Sequence, residues 1–117
     1  MQKLEVVPAY YARAPDGRTL PFIVSLLVYD ANKKQRILPA VELSINRTID
    51  ITGRAGLVRA MIADNDKMPK NADYYINRAM GIPDAILLFS CHTPEIAERL
   101  MQHLYVKYQL TLVQEPY

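Results

Sequence analysis

The stretch from Asp84 to Lys107 constrains the fold more than any other part of the chain. An apolar run, Ala85-Ile86-Leu87-Leu88-Phe89, passes through Ser90-Cys91-His92 into a segment whose helix start and amphipathic face are both written out. Thr93 supplies a capping oxygen and Pro94 suits a first helical turn, where its missing N–H costs nothing. Ile96, Ala97, Leu100, Met101, Leu104, Tyr105 and Tyr108 recur at the three-and-four spacing of one helical face. A strand followed by a one-faced helix must pack on something, so the chain needs a sheet.

The first half of the chain supplies the rest of that sheet. Leu4 to Ala12 reads as a strand, ended by the turn Pro15-Asp16-Gly17, where Pro presets φ and Gly tolerates positive φ. Phe22 to Tyr29 is almost continuously apolar, which predicts a central strand covered on both faces, with Ser25 its one polar interruption. Asp30-Ala31-Asn32-Lys33-Lys34 reads as the next turn, before Arg36-Ile37-Leu38. From Val41 to Ile51 apolar and polar residues alternate, with Arg47 on the apolar parity, which predicts a half-exposed strand bent near Asn46-Arg47. Pro8 and Pro39 mark strand edges or bends.

The second half reads as helical. Thr52 is placed to cap a helix through Leu57, Val58, Met61 and Ile62 that ends near Asp64-Asn65-Asp66, with Gly53 and Gly56 weakening its first turn. Asn71 is placed to cap a second, Ala72 to Met80, stopped by Gly81. After the last helix, Gln109 to Gln114 predicts a closing edge strand. The expected fold is α+β, a mainly antiparallel sheet with helices packed on one face, in the approximate order βββααβαβ. There is no repeat or linker, so residues 1–117 are read as one compact domain.

Composition narrows the function classes. A chain of 117 residues, 50% hydrophobic and 22% charged, can bury a modest core without disulfides or metal. One Cys excludes an internal disulfide, and two His leave too few ligands for a structural zinc site. Neither a signal-peptide core at Met1–Glu5 nor an apolar run of membrane-spanning length is present. The expectation is a soluble, cytoplasmic protein without cofactor, metal or membrane partner.

Four features bear on chemistry. Cys91 beside a helix N-terminus, with His92 next to it, is the arrangement of a thiol-dependent enzyme, although neighbours on a strand point to opposite faces. Gly53-Arg54-Ala55-Gly56 at a helix start offers free N–H groups and a cation to a phosphate. Over those four residues it resembles the GxxG clamp of KH nucleic-acid-binding domains. That resemblance implies a nucleic-acid ligand, while Arg59 and the strand-like Val41 to Ile51 depart from the family's pattern. Residues 33–59 carry Lys33, Lys34, Arg36, Arg47, Arg54 and Arg59 against Glu42 and Asp50, so they hold +4 of a chain whose net charge is +2. Such a segment suits a nucleotide, a nucleic acid or an acidic protein, with Arg47, Gly53, Arg54, Gly56 and Arg59 as the ligand- or phosphate-binding set. Finally, the chain has eight Tyr, two Phe and no Trp. Tyr10, Tyr11, Tyr74, Tyr75 and Arg78 form the candidate partner interface, because Tyr and Arg are favoured interface anchors.

Walker, GxGxxG, HExxH, CxxC and GxSxG signatures are all absent. Asp64, Asp66, Asp73 and Asp84 cluster in a loop-rich stretch but lack the spacing of a calcium loop. The expected function is therefore a small non-enzymatic binding protein. It would be an inhibitor or adaptor of the kind carried by phages and mobile elements, with a protein partner and a homo-oligomer as one form of it. A nucleotide or nucleic-acid binder using segment 33–59 is the first alternative, and a thiol enzyme at Cys91 and His92 the second.

Overall fold

The structure, a computed structural model, describes residues 5–29, 35–36, 47–63 and 65–113. In chain order the elements are β1 (Val6–Pro8), β2 (Tyr10–Arg13), β3 (Thr19–Tyr29), β4 (Gln35–Arg36), β5 (Thr48–Asp50), β6 (Leu57–Ile62), α1 (Met68–Met80), β7 (Ile86–Cys91), α2 (Pro94–Tyr108) and β8 (Thr111–Leu112). The main sheet runs β6-β7-β3-β2-β8, with β4 on the far end of β3, and β1 pairs with β5 in a separate ribbon. The fold is α+β, as the sequence predicts. Four of the six pairings among the described residues are antiparallel, and the two parallel ones are the neighbouring ladders β6–β7 and β7–β3.

The strand-turn-helix unit forms as expected. All six residues of β7 are buried. The Thr93 hydroxyl accepts from the Ile96 N–H at 3.2 Å, and Ile96, Ala97, Leu100, Leu104 and Tyr108 are buried on the sheet. Each such leucine contributes about 1.5–3 kcal/mol by leaving water. Tyr105 departs from the predicted stripe and is exposed, because it lies beyond the edge of the arc that meets the sheet.

The central strand is covered on both faces, again as predicted. Leu20, Phe22, Val24, Leu26 and Val28 pack with α1 and α2 in the larger core cluster. Leu27, with Ile23 at its margin, faces the opposite way and joins Val7, Ile51, Ile86 and Leu88 under the β1–β5 ribbon. The helices therefore occupy one face of the sheet, and the ribbon closes the other. Pro8 ends β1, and one residue later the chain enters β2, so the single strand read from Leu4 to Ala12 is two. The Pro15-Asp16-Gly17 turn forms with Gly17 at φ 92, and Ala14 and Arg18 bonded across it.

One predicted helix is a strand. Leu57–Ile62 pairs in parallel with β7 and buries Val58, Ala60 and Ile62 while Arg59 and Met61 point outward, a period of two. Thr52 caps no helix; its hydroxyl instead accepts from the Glu5 N–H at 2.8 Å, joining the start of β1 to the chain just after β5 at one end of the ribbon. The next helix begins at Met68, with Pro69 in its first turn, rather than after Asn71. It ends at Gly81, whose φ of −91 is not left-handed. The short β8 is the closing edge strand. Leu4, the turn at residues 30–34, Ile37 and Leu38, Pro39, the part of the alternating strand from Val41 to Asn46, Asp64 and Gln114 lie outside the described residues. No helix among the described residues is long and apolar enough to cross a membrane.

Candidate functional site

The glycine-arginine loop lies between β5 and β6 and leads into a strand, so the helix N-terminus invoked for phosphate binding is missing. Gly53 takes φ 70, and the Arg54 N–H closes the turn on the Ile51 carbonyl at 3.1 Å. Gly56 is required by packing. A Cβ there would lie 2.8 Å from the Asp84 carbonyl oxygen, and the Gly56 carbonyl accepts from the Ile86 N–H at 2.9 Å. Of the five predicted ligand residues, the loop therefore brings Gly53, Arg54 and Gly56 together. Arg59 sits on the outer side of β6, where its guanidinium grips both Glu5 carboxylate oxygens at 3.1 and 2.9 Å. Arg47 precedes β5, half-buried and already engaged with neighbouring groups. Arg54 donates through Nε to the Asp50 carbonyl at 3.0 Å. Hydrogen bonds from the Thr52 hydroxyl and N–H hold the Asp50 carboxyl below its ordinary range.

The tyrosines divide in the same way. Tyr10 is buried in the helix-side core, so it cannot meet a partner. Its hydroxyl has no hydrogen-bond partner among the described residues, and burial pushes its pKa up. Tyr11, the next residue along β2, is half-buried on the opposite face of the sheet. Tyr74 and Tyr75 meet edge-on at 5.2 Å between ring centroids; Tyr75 packs against the core, while Tyr74 is 60% exposed. Arg78 lies one turn after Tyr74 and is exposed. Of the predicted interface, α1 thus gathers Tyr74, Tyr75 and Arg78, and leaves Tyr10 and Tyr11 elsewhere.

At the end of β7 the backbone alternation separates thiol from imidazole. Cys91 is fully buried, and burial pushes its pKa up to about 12, so the nearby helix N-terminus does not make it a thiolate. His92 is exposed.

A polar cluster that sequence reasoning missed joins the two helices. Asp73 of α1 accepts from the Lys107 ammonium at 2.7 Å and from the Tyr108 hydroxyl at 2.7 Å, and His103 Nε2 lies 3.0 Å from the same carboxylate. Partial burial raises the Asp73 pKa, but the bonds from Lys107, His103 and Tyr108 outweigh it, and the net direction is downward. Burial, then the bond to Asp73, pushes the Tyr108 pKa up. His103 is therefore a residue that bridges the two helices. The only sequence signal was that His103 and Lys107, one turn apart on α2, share a helix face that must meet a neighbour. A cavity of about 390 Å³ beside the cluster is lined by Arg18, Asn77 and Met80 along with Asp73, Lys107 and Tyr108.

A second cleft, of about 490 Å³, opens where β3 and β7 begin, with Arg54 and Asp84 in its lining. Among the described residues no three His, Cys, Asp or Glu side chains are placed to hold a metal ion. Comparison of the chain with protein-family models, curated proteins and solved structures returned no significant match.

Proposed function

We propose that the protein is a binding protein, an inhibitor or adaptor, that engages a protein partner through the outer face of α1, with Tyr74 and Arg78 as its anchors. The observation that carries this reading is the Tyr74–Tyr75 pair. Tyr74 presents most of its ring to solvent while the edge-on contact with the core-packed Tyr75 restricts it. A restrained exposed ring loses little freedom on docking, which is what makes tyrosine an effective anchor. Arg78, one turn on, adds a planar cation suited to a carboxylate. Met80 and Val106 are also large apolar side chains exposed on the helical layer. A cytoplasmic setting belongs to this reading and fits a chain whose single cysteine is a buried thiol.

Affinity capture from the source organism, with the wild-type protein and a Tyr74→Ala/Arg78→Ala variant side by side, tests it. The variant should fold normally by circular dichroism, because both side chains face solvent, and should lose the captured partner by about tenfold or more, the scale of removing one interface anchor. Equal recovery by both proteins would refute the assignment. A nucleotide or nucleic acid held by segment 33–59 is less well supported, because Glu5 already neutralises Arg59 and the loop after β5 starts no helix. That alternative requires binding that weakens steeply with salt.

A further inference from the structure

The cleft where β3 and β7 begin holds two opposite charges that do not neutralise one another. It is lined by Tyr11, Pro21 and Ile23 together with Arg54 and Asp84. Each charge is mounted on backbone rather than on its opposite. The Gly53 turn and the bond from Arg54 Nε to the Asp50 carbonyl fix the base of the guanidinium; the Asp50 carboxylate feels its charge from one side, and its terminal NH2 groups make no hydrogen bond among the described residues. Asp84 takes φ 52, a conformation that Asp and Asn tolerate better than most residues, and its carbonyl is seated against Gly56. Its carboxylate makes no hydrogen bond or ion pair among the described residues.

A simple anion brought to Arg54 would meet the Asp84 carboxylate, and a simple cation brought to Asp84 would meet Arg54. A molecule carrying both charges satisfies both and excludes its singly charged relatives. Arg offers a fork of donors suited to a carboxylate, and Asp offers acceptors suited to an ammonium. Pro21, exposed, and Ile23, half-buried, leave accessible apolar surface between. Holding both groups on fixed turns reduces the ordering cost of binding.

We propose that this cleft binds a dipolar small molecule that pairs a carboxylate with an α-ammonium group. The class is an apolar free amino acid or a short peptide with the same two termini; its carboxylate meets Arg54, its ammonium Asp84, and its side chain Pro21 and Ile23. The site shares no residue with the outer face of α1, so either assignment can fail while the other stands.

Amide nuclear magnetic resonance titration of the intact protein with leucine, leucyl-leucine and trileucine is the test, repeated with each ligand N-acetylated or C-amidated. Saturable shifts should centre on residues 20–23, 54 and 84–86 for at least one free ligand. Capping either end, or the substitutions Arg54→Ala or Asp84→Asn, should each weaken binding by about tenfold or more, the scale of one lost charge-assisted contact. Asp84→Asn tolerates the positive φ, so it removes charge without disturbing the turn. The tightest member of the series distinguishes amino acid from peptide. Three results overturn the proposal: no saturable shifts with any free ligand, capped ligands that bind as well as free ones, or an Arg54→Ala protein that binds like wild type.

Discussion

Removing the Asp73 carboxylate should separate the two helices energetically, and the size of the effect follows from who loses a partner. In Asp73→Ala the Tyr108 hydroxyl, on a side chain only 5% exposed, is left without its acceptor. An orphaned, largely buried donor costs about 1–3 kcal/mol. His103 and Lys107 are 21% and 41% exposed, so water replaces much of what they lose, and each adds about 0–1 kcal/mol. The expected total is about 2–3 kcal/mol, or a fall in melting temperature of roughly 10 °C for a chain of this size. Urea unfolding followed by circular dichroism at neutral pH measures it. Tyr108→Phe removes the hydroxyl at issue, so the double variant should cost about 1 kcal/mol less than the two singles together. The same carboxyl sets a pH dependence. Its folded pKa lies below its ordinary value of 3.8, so its contribution is fully present above that value and is lost as pH falls through the folded pKa. The stability gap between wild type and Asp73→Asn should therefore close in acid. A loss below about 0.5 kcal/mol in Asp73→Ala, or strict additivity with Tyr108→Phe, would refute the view that this cluster couples α1 to α2.

Two further outcomes follow from buried groups. Tyr10→Phe should leave stability unchanged or raise it by up to about 1 kcal/mol at pH 7, because the hydroxyl it deletes is buried with no partner among the described residues. Its advantage should widen above about pH 10, where the unfolded phenol ionises and the folded one, its pKa raised by burial, does not; a destabilisation of more than about 1 kcal/mol would show that the hydroxyl does have an acceptor. Cys91 should be inert to a thiol reagent at pH 8 in the native state and react fully in denaturant, since its thiol is buried and its pKa pushed up to about 12. Rapid native labelling would restore the thiol-enzyme reading.

Local signals were legible and distant ones were not. The β7–α2 unit could be read because Thr93, Pro94 and the apolar stripe act within a few residues of one another. The turn at Pro15-Asp16-Gly17 was legible for the same reason. β6 was misread because Leu57, Val58, Met61 and Ile62 also fit a helical spacing, and Ala60, the small residue between, hides the period of two. Reading that strand as helix also concealed the parallel β6–β7 ladder, since β6, α1 and β7 form a strand-helix-strand unit only if β6 is a strand. The Asp73 cluster was out of reach in a different way. Its three partners lie 30, 34 and 35 residues away in sequence, and only the packing of two helices on one sheet face brings them together.

Where the charges end up matters more than how many there are. Segment 33–59 looks like a basic patch in the sequence, yet Arg59 is clamped by Glu5 and Arg54 is bonded to the backbone of β5. The surplus positive charge is therefore partly consumed in holding the β1–β5 ribbon beside the sheet. The opposite holds for groups that look ordinary in the sequence. Asp84 enters as one loop carboxylate among several, but its left-handed backbone and the close approach of Gly56 fix its place in a cleft that Arg54 also lines. A charge whose mount is rigid and whose partner is missing pays the cost of ordering during folding rather than on ligand binding. That difference, rather than net charge, is what directs attention to the cleft where β3 and β7 begin.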